Sequence, residues 1–178
     1  LALCNLSRAS ISLKESLVSV AEDLEFAKNY LTIMQIRFGK KLSVFIELNE
    51  KVLSYRIPKL TIQPIVENAI RHGLEKKSGL WEIRIRGVLQ NGFAVISVSD
   101  NGVGIPPERQ RDILNNRLVS DQSRTHIGLS SLNKRLQLLL GQQATLTLQS
   151  ECNAGTTVCL TLPPDLEGKD VSDPDSGR

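Results

Sequence analysis

The chain has 178 residues, of which 40% are hydrophobic and 23% charged, and its formal net charge is +3. That length suffices for one well-buried domain with a short appendage, and the balance excludes wholesale disorder. Basic residues are scattered and aromatic residues make up only 4%, which argues against a nucleic-acid surface that tracks phosphates.

In chain order, residues 1–38 are helical in pattern. Ser19 or a neighbour opens the main helix, Glu22, Asp23 and Glu25 suit its first turn, and Gly39 suits its end. Leu24, Ala27, Leu31 and Met34 recur at helical spacing and read as core or helix-partner packing. From Lys41 the period changes: Leu42, Val44, Ile46 and Leu48 alternate with polar or exposed positions, as in a half-buried strand. A helix is expected from Pro58 or Pro64 to His72, with Gly73 as its stop.

Trp81–Leu89 and Phe93–Ser99 read as strands joined through Asn91-Gly92, a strong hairpin signal. Residues 102–125 are polar and rich in Gly, Pro and Arg; they read as a long loop with one short helix after Pro107. Leu129, Leu132, Leu136 and Leu139 mark an amphipathic helix ended by Gly141. A second hairpin runs from Ala144 to Glu151 and from Thr156 to Leu162. Residues 164–178 offer almost nothing to bury and read as a disordered tail. The order predicts an α+β two-layer sandwich, with a mixed, largely antiparallel sheet covered by helices on one face.

Cys4, Cys152 and Cys159 form no CxxC pair and follow no secretory leader, so they read as reduced thiols of a cytoplasmic domain. Cys159 alternates within an apolar strand and reads as plain core. Two separated histidines without a His/Cys cluster argue against a zinc site. No apolar run reaches the roughly 18 residues of a membrane span, so no membrane contact is expected of this stretch. The chain opens at Leu1 within a helical pattern; it reads as a fragment, with any membrane part upstream.

Three stretches carry chemistry. In Gln63-Pro64-Ile65-Val66-Glu67-Asn68-Ala69-Ile70-Arg71-His72-Gly73, helical spacing puts Asn68, Arg71 and His72 on one face. An Asn carbonyl is a hard oxygen suited to Mg²⁺ that bridges nucleotide phosphates, and Arg71 and His72 are placed to reach phosphate oxygens. Alone, the stretch reads equally well as a surface helix. Asp100-Asn101-Gly102-Val103-Gly104 follows an apolar strand; a carboxylate there can accept from an exocyclic amine such as that of adenine, and glycines let a flat ring approach the backbone. A plain turn is the competing reading. Thr125-His126-Ile127-Gly128-Leu129 opens a helix, where free backbone N–H groups attract phosphate or simply start a helix.

In this order the three stretches resemble the N, G1 and G2 boxes of the GHKL superfamily, whose nucleotide pocket is the Bergerat fold. Val20–Gly39, Ile57-Pro58, the Gln63–Ile70 run and Gly155-Thr156-Thr157-Val158 are similar to LytS/YehU-type sensor histidine kinases. The resemblance spans about Val20 to Pro163. It implies ATP and Mg²⁺ as cofactors, with Asn68 on the metal and Asp100 on the adenine amine. Gly102 and Gly104 would line the base, Gly128 and Leu129 would sit by the nucleotide, and Thr156 would support the adenine pocket. Arg71 and His72 would contact phosphate, Glu67 would be an auxiliary catalytic group, and residues 105–127 would form the lid. Residues 1–38 would end the dimerisation region, and residues 39–163 would form the ATP-binding domain.

The implied activity is ATP-dependent phosphorylation of an upstream histidine, relayed to a response-regulator receiver domain. The intact protein would then be a homodimer through its upstream helices, anchored at the bacterial cytoplasmic membrane. Three departures stand out: His126 occupies the place where the family's G2 box opens with glycine, Pro64 occupies the place of the glutamate base in related hydrolytic ATPases, and the phosphoacceptor histidine lies outside this chain. The alternatives are an anti-sigma-type GHKL serine kinase and a non-catalytic interaction module with a degenerate pocket.

Overall fold

Ser19 sits in extended backbone ahead of the first long helix and caps it: its hydroxyl accepts from the Glu22 N–H at 3.2 Å while Glu22 Oε2 accepts from the Ser19 N–H at 2.8 Å. This reciprocal pair satisfies two of the donors that a helix start leaves orphaned. The computed structural model describes residues 17–110 and 126–164. The expectations of helix before residue 17, of loop and lid over 111–125 and of a disordered tail over 165–178 lie outside these residues.

Helix α1 (Val20–Phe38) buries Val20, Leu24, Ala27 and Leu31, the expected stripe. Just before it, Leu17–Ser19 is a short strand, β1, rather than helix. It pairs antiparallel with β3 (Arg56–Pro58), and Arg56 Nη2 donates to the Leu17 carbonyl at 2.8 Å. A distant partner therefore decides the conformation of these residues, and their local pattern does not reveal it.

Strand β2 (Leu42–Leu48) follows, then a one-turn helix α2 (Glu50–Leu53) that Asn49 caps by accepting from the Lys51 N–H at 2.9 Å. Helix α3 (Ile62–Asn68) starts between the two expected prolines; Pro58 ends β3 and Pro64 falls in the first turn of α3, where its missing N–H costs nothing. Residues Ala69–Leu74 continue α3 as a π-helical turn, with the Glu75 N–H bonded five residues back to the Ile70 carbonyl at 2.8 Å. Gly73 therefore lies inside the turn and does not stop the helix.

Strands β4 (Trp81–Gln90) and β5 (Phe93–Asp100) form the predicted hairpin, with Asn91 at φ 52 and Gly92 at φ 82. Positive φ at both central residues is what a tight type I′ turn requires. The short helix expected after Pro107 begins at Pro107 itself, over residues 107–110. Helix α4 (His126–Leu140) ends at Gly141, φ 86, as expected. Strands β6 (Thr145–Glu151) and β7 (Gly155–Leu162) complete the chain's second hairpin.

The five strands pair in the order β2-β4-β5-β7-β6, with β2 parallel to β4 and every other pair antiparallel. Register aligns the inward side chains in rows. Ile46, Ile85, Val98, Val158 and Leu148 form one row; Leu48, Gly87, Ile96, Leu160 and Leu146 form the next. Helices α1, α3 and α4 cover this face, and Leu129, Leu132 and Leu136 bring α4 onto it. The opposite face carries Phe45, Glu47, Arg84, Arg86, Ser97, Ser99 and Thr157, half-buried or exposed. This is the predicted two-layer sandwich with one open sheet face.

Cys159 belongs to that open face, which corrects its reading as core. Its neighbours Val158 and Leu160 are 5% and 0% exposed, so the two-residue period of the strand turns Cys159 the other way.

Candidate nucleotide site

The row next to Ile46–Ile85–Val98 changes character. It pairs Val44 and Ile83 with Asp100, Thr156 and Ser150, so three polar groups interrupt an otherwise apolar sheet face. Above them, α3 and its π-helical turn leave a cleft that opens to solvent. Its walls include Ile65, Asn68, His72 and Gly73 from α3, Val98 and Asp100 from β5, Gly104 and Ile105 from the following loop, Leu129 from α4, and Leu148, Thr156 and Val158 from the last hairpin. Most of this wall is apolar and a few polar groups converge on it, the usual build of a small-molecule site.

Asp100 is the fixed point of the floor. Its Oδ1 accepts from the Gly102 N–H at 2.8 Å. Burial pushes its pKa up to about 6, against the opposing pull of the Gly102 and Thr156 backbone N–H groups and of Lys77. Lys77 itself is held by donating to the Asn101 carbonyl. Asn101 is turned away from the cleft: its Oδ1 accepts from the Glu82 N–H at 2.9 Å, which pins the strand end that carries Asp100.

Four glycines fit tightly around that carboxylate and its strand. A β-carbon on Gly73 would meet Asp100 Oδ1 at 2.6 Å, and one on Gly102 would meet the Gly73 Cα at 2.5 Å. Gly104, at φ 69, would place a β-carbon 1.9 Å from the Glu151 carbonyl oxygen; Gly155, at φ 113, would place one 2.0 Å from the Asp100 carbonyl oxygen. Backbone approaches backbone here more closely than any side chain permits. The Val103 N–H donates to the Gly73 carbonyl at 3.1 Å, and the Asn153 N–H donates to the Val103 carbonyl at 2.8 Å, tying the loop to α3 on one side and to the β6–β7 turn on the other.

Ser150 is the residue that the sequence did not single out. Its Oγ lies 2.8 Å from Thr156 Oγ1, donates to the Gly155 carbonyl at 2.9 Å and accepts from the Ile105 N–H at 2.8 Å. Gln110 adds a clamp, donating at 2.7 Å to both the Ile105 and the Ser150 carbonyls. The segment leaving the glycine loop is thereby anchored to β6. The alternation of β6 marks Ser150 as inward-facing, and a polar inward position is the signal that was available.

The cleft brings together Asn68, His72, Asp100, Gly104, Leu129 and Thr156 of the predicted site, with Gly102 packed beneath Asp100. Gly128 lies in the first turn of α4. Arg71 is exposed and off the cleft wall. The π-helical turn explains this, because it winds more residues per turn than an α-helix, keeping position 72 over position 68 while carrying position 71 round to solvent. Glu67 also lies off the wall; its Oε1 accepts from Gln63 Nε2 at 2.7 Å, and its charge bears on Tyr30 of α1.

The donor set suits a magnesium nucleotide. No group of three His, Cys, Asp or Glu gathers among the described residues. A lone neutral Asn68 oxygen is instead what a cation needs when phosphates and waters supply the other ligands. The buried Asp100 acceptor beside glycines without room for a β-carbon suits the edge and face of a purine.

Comparison with known proteins identifies the family. Residues 55–166 match the model of the histidine kinase-, DNA gyrase B- and HSP90-like ATPases, and residues 1–42 match a histidine kinase model. The sensor histidine kinase YesM of Bacillus subtilis is 32% identical over 158 residues, covering 89% of this chain and 26% of YesM. The sensor protein LytS of Bacillus cereus is 31% identical over 160 residues, covering 90% of this chain and 26% of LytS. The chain thus spans about a quarter of the length of these relatives. Among solved structures, the catalytic domain of histidine kinase ThkA superposes with a TM-score of 0.61 at 16% identity, covering 83% of this chain and 94% of that one. The Acinetobacter baumannii histidine kinase AdeS superposes at 0.60 with 14% identity, covering 84% and 66%. With its glycine-lined cleft built around Asp100 and its family match over most of the folded residues, the chain belongs to the histidine kinase-, DNA gyrase B- and HSP90-like ATPase family.

Proposed function

We propose that this chain is the ATP-binding catalytic portion of a two-component sensor histidine kinase, binding Mg²⁺-ATP in the cleft between α3 and the sheet. The observation that carries this reading is the buried Asp100 carboxylate, packed against Gly73 and Gly102 at distances that leave no room for a side chain. Asp100 accepts from the exocyclic amine of adenine, and Thr156, held by Ser150, supports it from β7. Ile65, Val98 and Val158, which line the cleft beside the glycine loop, would flank the ring. Asn68 would hold Mg²⁺ through its carbonyl oxygen, and His72, which also lines the cleft, would serve the phosphates. When bound, the cation neutralises charge on the phosphates and orients the terminal phosphoryl group for in-line transfer. The protein's own contribution is positioning and exclusion of water.

The phosphoryl acceptor in this reading is a histidine upstream of the chain, and the next acceptor is an aspartate on a response-regulator receiver domain. Residues 1–38 end a dimerisation region and residues 39–163 form the ATP-binding domain. No helix among the described residues is long and apolar enough to cross a membrane, and this domain works on the cytoplasmic side of a protein anchored elsewhere in its length.

Calorimetric titration tests the first half: ATP binds, Mg²⁺ strengthens binding, and Asp100→Ala weakens it. Absence of ATP binding sinks the reading. For the second half, the chain is incubated with ATP and the purified upstream histidine-bearing segment of the same protein. Acid-labile phosphate on histidine is the expected product; acid-stable phosphoserine on a partner would instead mark a serine kinase.

A further inference from the structure

Asp23 has no part in the nucleotide cleft, yet it is 0% exposed. A carboxylate is rarely buried to that degree without a specific task. It stands in the first turn of α1, and its oxygens point at the start of α3. They accept from the Leu60 N–H, from the Thr61 N–H at 3.0 Å and from the Ile62 N–H at 2.8 Å. Thr61, the residue in the N-cap position of α3, provides no cap of its own: its hydroxyl donates to the Pro58 carbonyl instead. The start of α3 is therefore capped from another helix, by a carboxylate 38 residues earlier in the chain. An anion among free N–H groups at a helix start is favoured by the helix dipole as well.

The same turn is gripped from its other side. Arg135 of α4 donates through Nη2 to the Lys59 carbonyl at 2.9 Å and to the Leu60 carbonyl at 3.0 Å. Leu60 is held between these contacts at φ 61, a backbone conformation that a branched side chain seldom adopts. Arg135 also lies close enough to draw the Asp23 pKa down, against the burial that raises it. One turn of chain, residues 59–62, thus joins three helices. Of these, α3 carries Asn68 and α4 carries Leu129 into the cleft.

We propose that Asp23 is a positioning residue for the nucleotide site, a buried carboxylate through which α1 sets the seat of α3 and thereby of Asn68. It leaves Asp100 out of reach, because Asp100 rides on β5 and is fixed by the Gly102 N–H and the sheet register, while the far end of α3, with Gly73, is tied separately to the glycine loop through the Val103 N–H. This rests on the reading of Asn68 as the Mg²⁺-holding group. Its consequence is that α1, which lies in the segment matching the histidine kinase model, acts on the metal end of the cleft and leaves the adenine end alone.

The test uses this chain and two calorimetric titrations, ATP with Mg²⁺ and ATP without it, run well below each protein's melting midpoint. In Asp23→Asn, which keeps the side-chain volume and one acceptor, the Mg²⁺-dependent gain in affinity falls about fivefold or more. Affinity without Mg²⁺ stays close to that of the unsubstituted chain. A full Mg²⁺-dependent gain in the folded variant overturns the proposal. So does a proportional fall in both affinities, which would mean general loosening. If the unsubstituted chain itself shows no Mg²⁺-dependent gain, the assignment of Asn68 fails first and takes this proposal with it. Should Asp23→Asn not fold, amide hydrogen exchange on the unsubstituted chain decides. Saturating Mg²⁺-ATP slows exchange at Leu60, Thr61 and Ile62, although none of them lines the cleft, and unchanged exchange there overturns the proposal.

Discussion

The Cα of Gly73 lies directly against the Asp100 carboxylate, so that a β-carbon at position 73 would fall 2.6 Å from Oδ1 and 3.0 Å from Cγ. Gly73→Ala must push one of them aside, and the carboxylate is the end with more freedom. The expected result is a loss of about 1–3 kcal/mol in ATP affinity, the cost of a buried polar contact left poorly made. Calorimetry on the folded variant measures it; an affinity equal to that of the unsubstituted chain would show that adenine does not depend on Asp100.

Asp100 also sets two pH dependences of opposite sign. Its folded pKa is raised to about 6 by burial, while the unfolded value is near 3.9. Between those values the folded chain keeps a proton that the unfolded chain has released. Its contribution to stability is therefore fully present below about pH 4 and is lost as pH rises through about 6. Asp100→Asn removes this dependence, so the variant gains about 1–3 kcal/mol relative to the unsubstituted chain between pH 4 and pH 7.5. Thermal melts of both proteins at the two pH values measure that difference.

Adenine recognition runs the other way, since the amine donor favours the ionised carboxylate. ATP affinity of the unsubstituted chain should fall as pH drops through about 6. Phosphate groups titrate nearby, but they do so equally in Asp100→Asn, so the difference between the two titration series isolates Asp100. Parallel curves for the two proteins would contradict the assignment.

Asn68 and Glu67 are adjacent in sequence, yet only Asn68 lines the cleft, while Glu67 accepts from Gln63 on the side toward Tyr30. Asn68→Ala should abolish the Mg²⁺-dependent part of ATP binding. Glu67→Gln should leave ATP affinity with and without Mg²⁺ within about twofold, or 0.4 kcal/mol. If Glu67→Gln matched Asn68→Ala, the division of roles along α3 would be wrong.

Ser150 joins the glycine loop to the last hairpin through the Ile105 N–H and Thr156. Ser150→Ala leaves that N–H without its acceptor and should cost about 1–3 kcal/mol of stability. It should also speed hydrogen exchange at Ile105 by a factor larger than at Val98 on the neighbouring strand. Equal effects at the two amides would mean that Ser150 serves the fold generally and the loop not at all.

Much of this was legible in one dimension, because the signals concerned are local. Alternation of Leu42, Val44, Ile46 and Leu48, the Asn91-Gly92 turn, the Ser19 cap and Gly141 each depend on backbone preferences within a few residues. The two clusters around Asn68 and Asp100 could likewise be read as boxes along the chain, and their order pointed to the family. Gly73 by its local pattern resembles a helix stop, since nothing nearby announces that a carboxylate 27 positions later needs the space.

What the tertiary structure alone decided follows from contacts between distant segments. Residues 17–19 are a strand because β3 pairs with them. Arg71 faces solvent because a π-helical turn rotates it off the cleft, and Cys159 lies on the open face because Val158 and Leu160 claim the buried one. Asp23 looked like an ordinary acidic residue in a first turn, and the fold made it the cap of a second helix. The sequence by itself determined the family and the residues expected to hold a nucleotide. Only the packing of α1, α3 and the sheet decided which of them face the cleft, because burial and register are set by partners that the local pattern does not contain.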